Sequence, residues 1–287
     1  MLRDEFPKVC RFASAVFPSE DDDVITSPYN SVLSLAELCE HADCVLPIEN
    51  QALLDICKRG KGGKSDEGGK SNRKGHAAAA PAANPFDSMN DLVARLFCDL
   101  TAPMRFSGQL NVDLNEITTN LVPFPRLQFL MSSLSPLTAA DAAARHNVNT
   151  MFEAAISPKS QLMRADPRKG LYLACALMLR GRVEISDVNR NIEKLRAKMR
   201  MVHWNKDGFK TGICSAGPTF AHRSLLSLSN NCCIGETFGN ILSNFHRIYR
   251  RKAHTHHYTQ FMEAQQFDSA AERVQQLIDD YARMMVF

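Results

Sequence analysis

A possible phosphate-binding motif lies at Gly63-Lys64-Ser65, whose residue types end the P-loop pattern GxxxxGK[ST]. That pattern requires a glycine five residues before Gly63, together with a strand before the loop and a helix after it. The sequence has Lys58 at that position, and the surrounding residues are rich in glycine, lysine and serine, which predict neither element. We therefore exclude a P-loop here.

Cysteine and histidine are the other residues that could do chemistry. The nine cysteines are odd in number and form no CxxC pair or Cys/His ligand spacing, which argues against a disulfide framework and structural zinc. His254, His256 and His257 have no obvious accompanying carboxylate or thiol, so we predict a helix junction rather than a metal site. Cys232 and Cys233 are interpreted as buried small residues. The sequence thus predicts a reduced intracellular protein with no metal and no disulfide partner.

The charge pattern argues against a specific nucleic-acid partner. The 287 residues have a net charge of +3, from 34 basic and 31 acidic residues. Segment 58–84 alone contains seven basic and two acidic residues, so the remainder has 27 basic and 29 acidic ones. Because this segment is glycine-rich and nearly free of large apolar residues, it predicts a disordered insert. The alternative is a specific electrostatic contact of this segment with an acidic partner or nucleic acid. No apolar run approaches the roughly 18 residues that cross a bilayer, so no membrane span is predicted.

Apolar periodicity predicts an α/β protein. The strongest signal is a core helix at 87–105 with one apolar stripe, formed by Met89, Leu92, Val93, Leu96, Phe97 and Leu100. Proline donates no backbone hydrogen bond, so Pro103 must end or kink that helix. Strands are predicted at 11–18, 44–48, 126–130, 171–179 and 207–214, and helices at 28–41, 49–58 and 187–199. The last strand–helix–strand unit implies a parallel strand pair, and a capping box at Ser269 and Glu272 predicts the C-terminal helix.

Several longer stretches resemble the tubulin family. The residues that carry the resemblance are 27–30 (SPYN), 41–44 (HADC), 49–52 (ENQA), 55–57 (DIC), 104–116 (MRFSGQLNVDLNE), 120–126 (NLVPFPR), 165–168 (ADPR) and 250–253 (RRKA). They occur in the family's order from about residue 12 to 281, interrupted only by the insert. The wording of SPYN, HADCVLPIEN and LYLACALM is most similar to the epsilon branch of the family.

The resemblance implies a tubulin-like α/β fold. A partial nucleotide-binding, Rossmann-like layer is expected over 1–105, including the disordered insert 58–84 and the core helix 87–105. A two-layer α/β sandwich domain is expected over 106–234, and a C-terminal helical region over 235–287.

The same resemblance implies impaired binding of GTP. Tubulins begin with a glycine-rich GGGTGSG loop that holds the phosphates, and this sequence contains none, so roughly the first third of the usual chain is expected to be absent. Charge-assisted phosphate contacts contribute roughly 1.5–3 kcal/mol each, so losing several weakens binding by orders of magnitude. We expect GTP binding by this chain alone to be weak or absent, and Mg²⁺ only with a complete phosphate site.

On the base side of the nucleotide, the resemblance assigns residues that this sequence does contain. Asn50 and Asn90 align with asparagines that read guanine, Phe86 with the aromatic residue that stacks on the base, and Asp23 with the ribose-side loop. An amide suits this role because it offers both a donor and an acceptor. The alternatives are that both asparagines cap helices or stay solvated, and that Phe86 is an ordinary core residue.

Glu116 is the candidate catalytic residue by resemblance. In tubulin polymers the loop after the core helix meets the nucleotide of the neighbouring subunit, and alpha-type members carry a glutamate there that helps position water. Positioning dominates catalysis of phosphoryl transfer, so Glu116 is expected to act in trans on a partner's GTP. The alternative is an exposed acid, with Asp113 three residues before it, on the first turn of a helix, where the dipole favours it.

Two functions follow from the resemblance. The first is an epsilon-type cytoskeletal protein, GTP-linked and with a structural role in organising microtubules, centrioles or basal bodies in the cytoplasm. The second is a nucleotide-free interaction module that binds or caps another tubulin subunit. In both cases the partners are other tubulin subunits, and the loop from Gly217 to Arg223 aligns with a loop for lateral contacts. Enzymatic activity is left open apart from the contribution in trans.

Overall fold

The computed structural model describes residues 2–19, 24–61, 85–138, 141 and 147–286. Asp23 and residues 62–84, which make up most of the predicted insert, lie outside these described residues. The helices are α1 (Leu2–Glu5), α2 (Ser27–His41), α3 (Asn50–Lys61), α4 (Pro85–Arg105), α5 (Leu114–Leu121), α6 (Val148–Ala155), α7 (Ile185–Lys198), α8 (Ile234–Tyr249), α9 (His256–Thr259) and α10 (Gln265–Val286). The strands are β1 (Phe12–Phe17), β2 (Cys44–Glu49), β3 (Gly108–Leu110), β4 (Met131–Ser135), β5 (Tyr172–Arg180), β6 (Phe209–Cys214) and β7 (Ser224–Asn231).

The N-terminal layer contains a two-stranded parallel sheet, in which β1 pairs with β2 and α2 forms the crossover. Every residue of β2 is buried, as expected for a strand covered on both faces. Val16 of β1 is 64% exposed. Helix α2 has Pro28 in its first turn, the position that the sequence predicted.

The second layer is a five-stranded mixed sheet with strand order β3-β6-β5-β7-β4. Strands β5 and β6 are parallel and are connected through α7, which confirms the predicted strand–helix–strand unit. Strand β5 lies at the centre of the sheet and is buried along its whole length. The α/β class and the tubulin-like order of elements are thus as predicted.

Helix α4 packs against the core through the predicted apolar stripe, except at Phe97. Met89, Leu92, Leu96 and Leu100 are buried, whereas Phe97 is 41% exposed. The helix continues past Pro103 to Arg105, and the amide of Phe106 still donates to the carbonyl of Ala102. Because Pro103 lies in the last turn, its missing N–H removes one bond near the helix end, where the helix tolerates it.

The predicted strand at 126–130 is wrong, since the strand of this region is Met131–Ser135. Residues just before it join the two sheets through an isolated bridge between Val45 and Phe129. Val45 donates to the carbonyl of Gln128 at 2.9 Å, and Leu130 donates to the carbonyl of Val45 at 2.8 Å. These residues therefore pair with β2 for one bridge only, which is too short for a strand.

Two further boundaries differ from the prediction. Helix α3 continues to Lys61, so residues 58–61 are helical instead of belonging to a disordered insert. The Arg59 side chain fixes this end by donating to the carbonyl of Lys159 at 2.6 Å. Helix α10 begins at Gln265, so Ser269 lies inside it and does not cap it. None of the described helices is both long and apolar enough to cross a membrane.

A buried ion pair joins α4 to β5. The Arg180 guanidinium donates to the Asp99 carboxylate at 2.8 Å, and both side chains are buried. Removing one partner of a buried pair leaves an uncompensated charge, which costs more than the pair contributes. We therefore expect Asp99→Ala to lower the free energy of unfolding by about 3–5 kcal/mol, measured by urea denaturation.

The matched control is Glu153→Ala, which breaks an exposed pair with Lys198 and should cost less than about 1 kcal/mol. Equal losses of unfolding free energy for the two variants would contradict a special role for the buried pair.

Candidate functional site

Glu116 lies in the first turn of α5, and the local sequence explains why a helix begins there. Asp113 is the N-cap residue, and its carboxylate accepts a hydrogen bond from the Glu116 amide at 2.7 Å. This satisfies one of the amides that lack a partner in the first turn. Ile117 and Leu121 are buried on the opposite face, so Glu116 faces outward. The structure therefore places Glu116 as the alternative interpretation describes, as an exposed acid in the first turn of a helix, and its role in trans stays a prediction.

The Glu116 carboxylate is held by a lysine that sequence reasoning missed. Lys210 of β6 places its ammonium 3.0 Å from the Glu116 carboxylate. The Glu116 side chain is 47% exposed and that of Lys210 is 29% exposed, so both charges are accessible to solvent. The nearby helix N-terminus adds a positive partial charge. A carboxylate and an ammonium in this arrangement could orient water and attract an anionic phosphate.

The cleft nearest to the predicted base-binding residues lies at the carboxyl ends of β1 and β2. It has a volume of about 260 Å³, and its lining includes Pro18, Ser27, Asn30 and Asn50. Parallel α/β sheets bind ligands outside the carboxyl ends of their strands, so the placement of Asn50 suits a ligand site. Asn50 is exposed as the first residue of α3.

Phe86 and Asn90 lie on the first two turns of α4, which packs against α3. Phe86 is 55% exposed, so it is not the core residue of the alternative interpretation. Asn90 is exposed, and neither residue lines the cleft that contains Asn50. The structure therefore places the two asparagines on neighbouring helices without bringing them into one cavity. The fourth candidate, Asp23, is outside the described residues.

The predicted lateral-contact loop is attached to the core helix by side chains that sequence reasoning did not single out. Arg180 donates to the carbonyls of Ala216 and Gly217 while it pairs with Asp99. Arg95 of α4 lies over the ring of Phe220 at 4.2 Å from the centroid. The sequence signal was an acid within the apolar stripe of α4 and an arginine at the end of a buried strand.

The loop borders an open cavity. Gly217 and Arg223 line a cavity of about 820 Å³, together with Arg182 and His222. Burial raises the pKa of Asp99, and its hydrogen bond and charge interaction with Arg180 oppose the rise.

Two of the buried thiols are held in their protonated form by their surroundings. Burial raises the pKa of Cys175 to about 11 and that of Cys233 to about 12, so these thiols stay protonated at neutral pH. All nine cysteines are free. The ring centroids of His256 and His257 are 3.9 Å apart, but no group of three or more potential ligands in the described part of the chain could hold a metal ion.

The layered α/β fold, the long core helix and the sequence comparisons define the class of protein. Residues 125–243 match the Tubulin C-terminal domain, and residues 1–58 match the GTPase domain of the Tubulin/FtsZ family. The chain belongs to the tubulin family.

Individual relatives show how similar the chain is to particular tubulins. The chain is 49% identical to the tubulin epsilon chain of Mus musculus over 98% of its own length, and 48% identical to that of Homo sapiens over 99%. It is 34% identical to the tubulin alpha-3 chain of Saccharomyces cerevisiae over 96% of its length. The chain spans 62% of the length of each epsilon relative.

The N-cap at Asp113 gives a direct test of how α5 positions Glu116. Asp113→Ala removes the acceptor for the Glu116 amide and should lower the free energy of unfolding by about 1 kcal/mol, measured by urea denaturation. Asp113→Ser keeps a capping oxygen and should cost only a fraction of that amount. Equal losses for the two variants would show that the cap is not what the side chain contributes.

Proposed function

We propose that the chain is an epsilon-type tubulin subunit whose Glu116 face contacts the nucleotide of a neighbouring tubulin subunit. The observation that carries the proposal is the solvent-accessible Glu116 carboxylate, held 3.0 Å from Lys210 at the start of α5. The resemblance to alpha-type tubulins supplies the role in trans, and the geometry leaves the carboxylate accessible to a partner.

The chemistry of the contact follows from the two charges. Lys210 and the amino end of α5 attract the phosphates of the partner's GTP. Glu116 orients the attacking water, and no covalent intermediate on this chain is required. The activity of the chain is thus a contribution to hydrolysis of a partner's GTP.

We propose in addition that the chain's own affinity for GTP is weak. The residues that it offers are on the base and ribose side: Asn50, Phe86, Asn90 and Asp23. Exposed Phe86 supplies a stacking face, and the asparagine amides supply a donor and an acceptor for guanine. Mg²⁺ would accompany only a complete set of phosphate contacts.

In the cell, the proposed role is structural. The epsilon relatives support a cytoskeletal protein that works with other tubulin subunits. We place this role in the organisation of microtubules at centrioles or basal bodies.

A second candidate function is a nucleotide-free module that binds or caps another tubulin. Two observations favour it: Glu116 is already paired with Lys210, and the loop from Gly217 to Arg223 is fastened to the core helix as a formed surface. This module would join polymers without altering GTP turnover.

The function in trans is tested by mixing the chain with GTP-loaded tubulin heterodimers and measuring phosphate release per chain that co-sediments. Glu116→Gln should lower the chain-dependent release about a hundredfold, because the amide cannot replace the water-orienting carboxylate. Co-sedimentation should be unchanged.

The matched control is Glu193→Gln, which changes an exposed glutamate on α7 and should leave release unaltered. Co-sedimentation without any chain-dependent release would support the interaction module instead. Absence of co-sedimentation would contradict both functions.

Base recognition is tested by equilibrium binding of labelled GTP with unlabelled ATP as competitor. Asn50→Ala and Asn90→Ala should each weaken GTP binding about tenfold, since each removes roughly 1.4 kcal/mol of hydrogen bonding. Asn244→Ala alters an exposed asparagine of α8 and should have no effect. Competition by ATP equal to that by GTP would contradict guanine recognition.

A further inference from the structure

A run of basic residues occupies the junction between α8 and α10, far along the chain from Glu116. We call it the basic junction, and its members are Arg247, Arg250, Arg251, Lys252, His254, His256 and His257. All seven are exposed. None forms an ion pair with a carboxylate in the part of the chain that the structure describes. The arginines and Lys252 carry four like charges within six consecutive residues, and an anion would relieve their mutual repulsion.

The backbone of the basic junction is held in an uncommon shape. Lys252 and His254 have φ values of 48° and 59°, in the left-handed region that non-glycine residues seldom adopt. The Lys252 amide donates to the carbonyl of Tyr249 at 2.8 Å, and the buried Tyr29 hydroxyl donates to the carbonyl of Ala253 at 2.7 Å. The core thus fixes the turn that presents the cations. Surrounding contacts that preserve local strain are typical of functional surfaces.

An apolar residue adjoins the cations. Phe261 is 88% exposed, and its amide donates to the carbonyl of Tyr258 at 2.8 Å. Tyr258 is tied to α2 by a 2.6 Å hydrogen bond from its hydroxyl to Asn30. Phe261 is therefore an aromatic ring presented to solvent from an anchored segment, and such a ring provides an anchor for a binding partner.

We propose that the basic junction and Phe261 together bind an acidic segment of another protein that carries an apolar side chain. The carboxylates would pair with the arginines and Lys252, and the apolar side chain would cover Phe261. The run of Arg and Lys is short and ends at Lys252, with Glu263 and Asp268 further along the chain, which favours a short acidic segment over a nucleic-acid strand that needs a longer basic track. This site is separate from the nucleotide-facing role of Glu116 and does not depend on it.

The experiment measures anisotropy of a labelled twelve-residue peptide of glutamates with one central phenylalanine, titrated with the full chain. Arg250→Ala with Arg251→Ala should weaken binding about tenfold, since two surface charge contacts of roughly 0.7 kcal/mol are lost. The matched control, Lys194→Ala with Arg200→Ala, removes two exposed cations elsewhere and should leave affinity unchanged. Phe261→Ala should weaken the phenylalanine peptide but not an all-glutamate one.

Three results would overturn the proposal. Equal losses of affinity for the Arg250/Arg251 double variant and for the Lys194/Arg200 control would show that binding depends on net charge alone. Tighter binding of a single-stranded RNA of equal charge would assign the patch to nucleic acid, and tighter binding of phosphatidylserine vesicles would assign it to a lipid surface. Circular dichroism of each variant shows that a loss of binding is not a loss of fold.

Discussion

The constraint on which the rest of the structure depends is the burial of the apolar stripe of α4 against α3 and the second sheet, in a core cluster that also includes residues of the first sheet. Leu96 and Leu100 share one core cluster with Leu46 of the first sheet and Met178 of the second. Each buried leucine contributes about 1.5–3 kcal/mol relative to an exposed one. The carboxyl half of α4 therefore fixes the second layer, while its amino-terminal turns carry Phe86 and Asn90. A single helix thus carries Phe86 and Asn90 and also holds the Gly217 loop, through the Asp99–Arg180 pair and Arg95.

Elements with a strong apolar pattern of their own were predictable from the sequence. Element boundaries that depend on contacts with distant residues were not. The stripe of α4 and the parallel pair of β5 and β6 follow from local apolar patterns, which act within one element. Residues 126–130 were predicted as a strand because Leu127, Phe129 and Leu130 are apolar, yet the segment pairs with β2 through one bridge only. The start of α10 was misplaced because Ser269 and Glu272 fit a capping box equally well inside a longer helix.

In the candidate site, too, some residues were predictable from the sequence and others were identified only by the structure. The resemblance located Glu116, and the spacing from Asp113 located the helix start, because both are properties of neighbouring residues. Lys210 is 94 positions later in the chain, so only the sheet brings it to Glu116. Asp99 and Arg180 meet for the same reason, since a core helix and a central strand must first pack.

The bridge between Val45 and Phe129 has a mechanical consequence. Two backbone hydrogen bonds at this bridge, and a third from the Glu49 amide to the carbonyl of Leu162 at 3.0 Å, tie β2 to the second layer. Bonds arranged side by side share a shearing load, so they must fail together instead of unzipping one at a time. A force that separates the two layers would therefore load these hydrogen bonds together, and tension applied to one sheet would be transmitted to the other.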